Sequence, residues 1–226
     1  MMSKTLEEKI GYTFSDKQLL ETALTHSSYA NERRSGVLSN ERLEFLGDSV
    51  LGFTVAEYLY KKRPDLPEGK MTRVRADLVC EAGLHRAAIE IGLGEHLLLG
   101  RGEDASGGRE RPSVLSDAME AVIAAVFLDG GRRAATRLIT RLILSHIDEA
   151  ERDNYDYKTA LQEYAQKTPG TKVRYELRGE SGPEHQKTFR VDVIIGGRVV
   201  GSGEGKSKKA AEQEAAREAF TTFGEI

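Results

Sequence analysis

Residues 40–51 read NERLEFLGDSVL, a short run in which acids are set among apolar side chains. Its three carboxylates, Glu41, Glu44 and Asp48, have a spacing that places them on one side of a helix two turns long. The other positions are mostly apolar, so this helix is predicted to be buried nearly all round. Because a buried carboxylate is costly unless it is paired or binds a cation, the acidic side calls for a partner, and a metal ion is the natural candidate.

The composition of the chain is that of an ordinary soluble protein. It has 226 residues, 31% of them charged and 39% hydrophobic, and a net charge of −3. These values suit one or two domains and do not by themselves indicate a nucleic-acid binder. The single cysteine, Cys80, excludes an intrachain disulfide and is predicted to be a small core residue. Since the N-terminus is polar and no stretch approaches ~18 apolar residues, we expect a cytoplasmic protein that does not enter a membrane.

Helical periodicity dominates residues 1–150, which we predict to form an all-α domain. Caps and turn formers divide this domain into helices over residues 3–10, 16–28, about 40–63, 70–92, 113–131 and 132–150. Residues 29–38 and the Gly-rich stretch 100–112 are predicted to be polar loops, the second one flexible. His26, at the end of the second helix, is interpreted as a surface or capping histidine, with a functional role as the alternative.

The helix over residues 113–131, SVLSDAMEAVIAAVFLDGG, repeats the pattern of the opening stretch. It is apolar on most sides and carries Asp117 and Glu120 one turn apart. If it packs against the first acidic helix, these two acids can converge with Glu44 and Asp48. Carboxylates without cysteine ligands favour Mg²⁺ or Mn²⁺ over zinc, and such an ion suits phosphoryl chemistry. The alternative for each acid is an ion pair with one of the many arginines.

After a polar segment at 151–157, predicted to be a linker, the pattern changes. Residues 158–167 are predicted to form a helix, and alternating apolar residues then predict three strands, the last two joined by a Gly-Gly hairpin turn. An Ala-rich helix follows over residues 206–223. The chain is therefore predicted to be multidomain, with an all-α domain over 1–150 and an α+β domain of the order α-β-β-β-α over 158–226.

Three separate regions of the second domain are candidates for contact with a double helix. One face of its first helix is polar, the loop SGPEHQK offers a histidine, and the last helix opens on lysines where backbone N–H groups already favour phosphate. Such side chains can reach the 2′-hydroxyls that A-form RNA exposes in its wide minor groove. The predicted RNA-binding residues are Thr159, Gln162, Glu163, Gln166, His185, Lys206, Lys208 and Lys209.

Taken together, these stretches resemble the bacterial ribonuclease III family over essentially the whole chain. NERLEFLGDSVL and SDAMEAVIAAVFLDGG are similar to its two acidic motifs, and DYKTALQEYAQ, GPEHQKTF and GEGKSKKAAEQEAA are similar to the contact regions of a double-stranded RNA-binding domain. The resemblance implies a helical nuclease domain that forms a homodimer, with two active sites in one RNA-binding valley. It also implies Mg²⁺-dependent hydrolysis of both strands of double-stranded RNA, and Mn²⁺ is expected to substitute.

By position, the resemblance assigns roles to four acids. Glu44, Asp117 and Glu120 match metal ligands, while Asp48 and Glu120 match residues with catalytic roles. The implied products carry 5′-phosphate and 3′-hydroxyl ends with a short 3′ overhang. Members of the family process ribosomal precursor transcripts and some messages, so the resemblance implies the same substrates here.

Two further acids are matched as supporting residues. Glu41 matches an acid at the subunit interface, and Glu68, in LPEGKM, matches an acid near the site. Two functions of other classes are alternatives to the nuclease. A non-catalytic RNA-binding regulator that only dimerises through its helices would be expected to lack one of the four site acids, all of which are present. A small-molecule phosphohydrolase would leave the second domain unexplained.

Overall fold

The chain folds into two compact units, Met1–Asn154 and Tyr155–Ile226. The computed structural model describes residues 5–33, 36–153, 155–166, 172–183 and 186–223. Within these ranges the first unit is helical, and the second has the order α-β-β-β-α. The predicted fold class, an all-α domain followed by an α+β domain, is confirmed.

Two long helices form the centre of the first unit. These are α4 and α8, which pack against each other, with α2, α5 and α6 placed around them. No described helix combines the length and the apolar character of a membrane span. The helices of this unit are α1 (Leu6–Ile10), α2 (Lys17–Ala23), α3 (Ser27–Arg33), α4 (Glu41–Lys62), α5 (Glu68–Val79), α6 (Glu81–Glu90), α7 (Arg101–Ala105), α8 (Pro112–Leu142) and α9 (Ile147–Asp153).

The prediction of one helix over residues 16–28 is wrong, because the helix is interrupted around Thr25. This residue forms an isolated parallel bridge with Leu98, whose backbone exchanges hydrogen bonds with the chain on either side of Thr25. Helix α2 therefore ends before Thr25, and α3 occupies part of the segment 29–38 that was predicted to be a loop.

The predicted helix over residues 70–92 is likewise two helices, which meet at Cys80. Its extended backbone, with ψ 166°, separates α5 from α6. The Cys80 side chain is exposed, so the prediction of a core cysteine is wrong. A Cβ at Gly83 would lie 2.5 Å from the Leu78 carbonyl oxygen, which shows how closely the two helices approach at this bend.

The Gly-rich stretch 100–112 is folded rather than a flexible loop. It contains α7 and a short 3₁₀ turn over Gly108–Glu110. Arg109 holds it in place, since its guanidinium donates to the carbonyls of Gly94 and Leu97 at 3.0 and 2.8 Å and pairs with Asp104 at 2.7 Å. The sequence pattern shows the turn formers but not this arginine's partners.

The end of the first unit differs from the prediction in its boundaries. Helix α8 kinks at Gly131, where φ is 68°, and ends at Leu142. Helix α9 then extends to Asp153, and the first helix of the second unit begins at Tyr157. A single helix over 132–150 and a linker over 151–157 were predicted for this stretch.

The crossing of α4 and α8 is unusually close at Gly47. A Cβ atom built there would lie 1.9 Å from the carbonyl oxygen of Glu120, so a glycine is required at this contact. Buried side chains of both helices, including Leu51 and Val55 from α4 and Met119 from α8, continue the packing along the crossing. The two acidic motifs are therefore held directly against each other.

One side of α4 is open to solvent, contrary to the prediction that this helix is buried nearly all round. Phe45 is 79% exposed and Phe53 is 55% exposed. Arg132 lies over the Phe53 ring, 4.9 Å from its centroid, whereas Phe45 stands free of the first unit's core. Helix α4 therefore has two apolar faces, one packed in the core and one exposed to solvent.

The second unit is a three-stranded antiparallel sheet with two helices on one side. Its elements are α10 (Tyr157–Gln166), β1 (Val173–Ser181), β2 (Thr188–Ile195), β3 (Arg198–Gly205) and α11 (Lys208–Phe223), and the strand order is β1-β2-β3. Gly201, Gly203 and Gly205 alternate along β3, and a Cβ on any of them would lie within 2.6 Å of the α11 backbone. These glycines let the sheet lie directly on the Ala-rich helix.

The close contact at Gly47 predicts a large difference between two Gly-to-Ala changes in α4. Gly47→Ala should destabilise the first unit by about 2–3 kcal/mol, because the added methyl group has no space. Gly52→Ala is the matched control: apart from the neighbouring backbone of its own helix, no atom lies within 4 Å of its Cβ position, and alanine should stabilise the helix by about 0.5–1 kcal/mol. Denaturant unfolding of both variants measures this, and equal stabilities would contradict the assigned contact.

Candidate active site

Three carboxylates from the two central helices converge at one point. Glu44 comes from α4, and Asp117 and Glu120 come from successive turns of α8. Each offers a carboxylate oxygen that lies within 4.8 Å of the other two, and all three side chains are half-buried. The alternative of separate ion pairs is not seen, since none of the ion pairs among the described residues involves these three acids.

The electrostatics of the cluster favour protonation when no cation is present. Burial, followed by the charges of Asp48, Glu44 and Asp117, raises the pKa of Glu120 to about 7. Burial is also the main cause that raises the pKa of Glu44, with Asp117 and Glu41 adding to it. The cluster therefore holds more negative charge than its surroundings stabilise, as expected for carboxylates that bind a cation.

Asp117 differs from its neighbours because two groups oppose the effect of burial. Burial raises its pKa, while a hydrogen bond from Ser116 Oγ, at 3.5 Å, and the charge of His26 act in the opposite direction. His26 is separated from Asp117 by more than ninety residues in sequence, and only the fold brings the two together. Sequence spacing contained no signal for this proximity.

The other predicted acids lie outside this cluster. Asp48 is exposed on α4, one turn after Glu44, and its charge acts on Glu120. Glu41 is exposed at the start of α4, where it accepts a hydrogen bond from Ser39 Oγ at 2.7 Å. Glu68 is exposed at the start of α5 and accepts one from Thr72 at 2.9 Å. The three acids predicted on one side of α4 therefore differ in their surroundings: Glu44 belongs to the cluster, whereas Glu41 and Asp48 are exposed outside it.

The predicted RNA-binding residues of the second unit form two exposed groups in the described chain. The first group lies on α10 and comprises Thr159, Gln162, Glu163 and Gln166; the second, at the start of α11, comprises Lys206, Lys208 and Lys209. The Thr159 hydroxyl also donates to the Asp156 carboxylate at 2.9 Å, and this carboxylate caps the helix by accepting from the Thr159 backbone N–H at 3.1 Å. His185, the remaining predicted contact, lies outside the described residues.

Strand register places the lysines at one end of the sheet. Gly205, which precedes them, pairs with Phe189, and the neighbouring β1–β2 pair ends at Ser181 and Thr188. The Lys208 Nζ lies 6.0 Å from the centroid of the Phe189 ring. The lysines and the connection between β1 and β2 therefore share the same end of the second unit.

Comparison with known proteins agrees with this arrangement. Residues 16–147 match the Ribonuclease-III-like family, and residues 157–222 match the double-stranded RNA binding motif. Ribonuclease 3 of Caldanaerobacter subterraneus subsp. tengcongensis is 54% identical over 221 residues, which cover 97% of each chain. Ribonuclease 3 of Symbiobacterium thermophilum is 51% identical over 216 residues, 94% of this chain and 91% of that one.

A solved structure supports the same relationship for the helical unit. The nuclease domain of ribonuclease III from Campylobacter jejuni has a TM-score of 0.58 and 43% identity, and the match covers 62% of this chain and 94% of that chain. A helical unit with a carboxylate cluster, joined to a double-stranded RNA-binding unit, defines a nuclease of duplex RNA. The chain belongs to the ribonuclease III family and is a double-stranded RNA-specific endoribonuclease.

The raised pKa of Glu120 predicts a pH-dependent cost to stability. Its folded-state value of about 7 exceeds the ordinary 4.5, so the contribution of this group to stability is full below 4.5 and is lost as the pH rises through 7. E120Q cannot ionise, and in EDTA it should melt on the order of a few degrees above the wild type at pH 8 but close to it at pH 5.

Thermal unfolding between pH 5 and pH 8 measures this difference. E90Q, which changes an exposed carboxylate on α6, is the control and should show no pH-dependent gain. A difference between E120Q and the wild type that stays constant with pH would contradict the assigned burial of Glu120.

Proposed function

We propose that this enzyme uses Mg²⁺, for which Mn²⁺ substitutes, to hydrolyse both strands of duplex RNA. The observation that carries the proposal is the convergence of Glu44, Asp117 and Glu120 within 4.8 Å of one another. An all-oxygen, carboxylate donor set from two rigid helices suits a hard divalent cation. When bound, such an ion activates water and screens the negative charge of the phosphate.

The residues of the chain would divide the remaining tasks. Glu44, Asp117 and Glu120 would hold the cation, and Glu120 would give up the proton that its raised pKa retains near neutral pH. Asp48, which is exposed and acts electrostatically on Glu120, would accept a hydrogen bond from a water molecule and orient it toward phosphorus. Hydrolysis would leave 5′-phosphate and 3′-hydroxyl ends with a short 3′ overhang. Glu41 and Glu68 would support the site from its edge.

The second unit would supply affinity for RNA without reading its sequence. Lys206, Lys208 and Lys209 are exposed at the start of α11, where the helix N-terminus also favours phosphate. The polar face of α10 is suited to 2′-hydroxyls and base edges in the minor groove. Ribosomal precursor transcripts and some messages in the cytoplasm are the substrates we propose, since members of the ribonuclease III family process such transcripts.

We also propose that the nuclease unit forms a homodimer through the exposed face of α4. Phe45 is exposed in the same turn of α4 as Leu43 and Leu46, which line a groove of about 930 Å³ together with Leu128 and several polar side chains. An exposed phenylalanine close to a groove that has leucines in its lining suits a self-complementary, two-fold contact. The Campylobacter jejuni structure concerns a region involved in dimer formation, which supports this reading.

Removal of one cluster acid tests the catalytic proposal. E120Q should abolish cleavage of a long RNA duplex in Mg²⁺ yet bind the duplex as the wild type does, because the RNA-binding surface is unchanged. Gel analysis of the products, with EDTA as a second negative control, measures cleavage, and a mobility-shift titration measures binding. Cleavage that persists in E120Q at saturating Mg²⁺ would refute the assignment.

The lysines at the start of α11 predict a change in the salt dependence of binding. The double change K208A/K209A should weaken binding equally across duplex sequences and reduce the slope of log K against log salt by about 1 per lost phosphate contact. R174A/R198A removes the same charge from the opposite end of the sheet and is the control. If both double variants show the wild-type slope, the lysines do not contact phosphate.

The homodimer proposal predicts that Phe45 is needed for self-association. F45A should raise the dimer dissociation constant at least about thirtyfold, since a buried aromatic anchor contributes about 2 kcal/mol or more. I89A removes an equally apolar, exposed side chain from α6 and should leave the dimer intact. Sedimentation equilibrium distinguishes the two results, and an F45A protein that dimerises as tightly as the wild type would place the interface elsewhere.

A further inference from the structure

The first turn of α10 is capped partly from another helix. Its first three backbone N–H groups, at residues 157–159, lie ahead of the regular ladder of the helix and need partners elsewhere. Two of them find these close by in sequence, in the Tyr155 carbonyl and the Asp156 carboxylate. The third, on Lys158, donates to Oε1 of Gln213 at 3.3 Å, and Gln213 belongs to α11. Helix α11 therefore completes the cap of α10.

The Gln213 side chain uses both ends of its amide at this point. Besides accepting from Lys158, it donates from Nε2 to Oδ1 of Asp156 at 2.8 Å. A backbone N–H only donates and an ionised carboxylate only accepts, so a single orientation of the amide forms both bonds. Asp156 is the cap residue of α10, since its carbonyl accepts from the Ala160 N–H at 3.0 Å. Gln213 thus binds the cap residue and the first turn of α10 together.

An ion pair joins the same turn to α11 a second time. The Lys158 ammonium pairs with Glu212, and the two side chains are only 32% and 27% exposed, so solvent screens this pair less than one on the open surface. The same Nζ lies 4.8 Å from the centroid of the Tyr175 ring on β1. The start of α10 is therefore fixed to α11 and to the sheet by polar contacts.

Apolar packing alone defines the position of α10 weakly. Leu161 of α10 shares a buried cluster with Ala215, Ala216 and Ala219 of α11. Alanine forms only shallow ridges on a helix, so it does little to fix one helix along the other, and polar contacts are known to fix such a register. At ten residues, α10 is also too short to be stable without contacts to the rest of its unit.

Both helices carry groups that the proposed function assigns to RNA. On α10, Thr159 and Gln162 follow Lys158 within about one turn, and on α11 Lys209 precedes Gln213 by about one turn. Two groups bind one rigid duplex strongly when the distance between them is fixed before binding, because less conformational freedom is then lost. The contacts of Gln213 lie between these two groups.

We propose that Gln213 is a positioning residue for RNA binding. By joining α11 to the cap of α10, it holds the polar face of α10 at a fixed position relative to the lysines at the start of α11. The inference rests on the RNA-binding surface proposed above and adds to it a residue that acts through α10.

Amide hydrogen exchange of the full chain without RNA tests the structural part of this inference. Q213A removes both hydrogen bonds at unchanged net charge, so peptides from α10 should exchange about fivefold faster while peptides from α11 keep the wild-type rate. E214Q is the control, because Glu214 is the next residue and pairs with Arg217 inside α11. Unchanged exchange of α10 in Q213A overturns the inference, and so does an equal acceleration of both helices, which would show a general loss of stability.

The affinity of the full chain for an RNA duplex, measured in EDTA by a mobility-shift titration, tests the functional part. Q213A should bind about fivefold more weakly than the wild type. E214Q should stay within about twofold of it. In a Q162A/Q166A background, which already lacks contacts of the α10 face, the further loss from Q213A should fall below about twofold, whereas in a K208A background it should multiply in full.

The outcomes separate this inference from the proposed function. Wild-type affinity in Q213A overturns the inference, as does a loss that multiplies in full with Q162A/Q166A, because Gln213 would then not act through α10. Normal binding by Q162A/Q166A overturns the proposed RNA contacts of α10 together with the inference. A normal Q213A beside an impaired Q162A/Q166A overturns the inference alone.

Discussion

The contact between Gly47 and the backbone of Glu120 is the constraint on which the candidate active site depends. A Cβ atom at residue 47 would lie 1.9 Å from the Glu120 carbonyl, so only glycine allows α4 and α8 to come this close. Glu44 lies one turn before this glycine, and Glu120 provides both the contacting carbonyl and a carboxylate of the cluster. The distance between the helices therefore also sets the distance between the acids, and a wider crossing would separate the carboxylates that we propose hold a cation.

The clustered acids destabilise the fold locally, and apolar packing around them offsets this cost. Burial and mutual repulsion raise the pKa values of Glu44 and Glu120, which means that their charged forms destabilise the fold when no cation is bound. Fully buried apolar residues on the same helices, among them Leu51, Met119 and Ile123, supply the offsetting free energy. A cation relieves the repulsion, so binding of the cation and stability of the fold should be linked.

The sequence allowed the fold class and the face that the acids of each helix share to be predicted, because both follow from periodicity along single elements. The convergence was predicted only on the condition that the two helices pack together, and it included Asp48, which lies outside the cluster. Asp117 and Glu120 share a face of one helix whatever the helix packs against. Features that depend on partners distant in sequence could not be predicted in this way. The break at Thr25 requires Leu98, the folded stretch 100–112 requires the carbonyls that Arg109 reaches, and the proximity of His26 to Asp117 requires the complete fold. An apolar residue at helical spacing predicts burial in the core of its unit. The pattern therefore gave no indication that Phe45 is exposed.

The acidic cluster also explains why a second unit is needed. A group of carboxylates repels the phosphates of RNA until a cation is bound, so the cluster by itself provides no initial affinity for its substrate. The net charge of −3 gives no general attraction either. Phosphate contacts from the lysines at the start of α11 can supply that affinity, and the glycines of β3 hold this helix against the sheet whose end presents them. Attraction of the duplex needs positive side chains, whereas the cluster is made of negative ones. This difference in charge is consistent with two units that divide the two tasks.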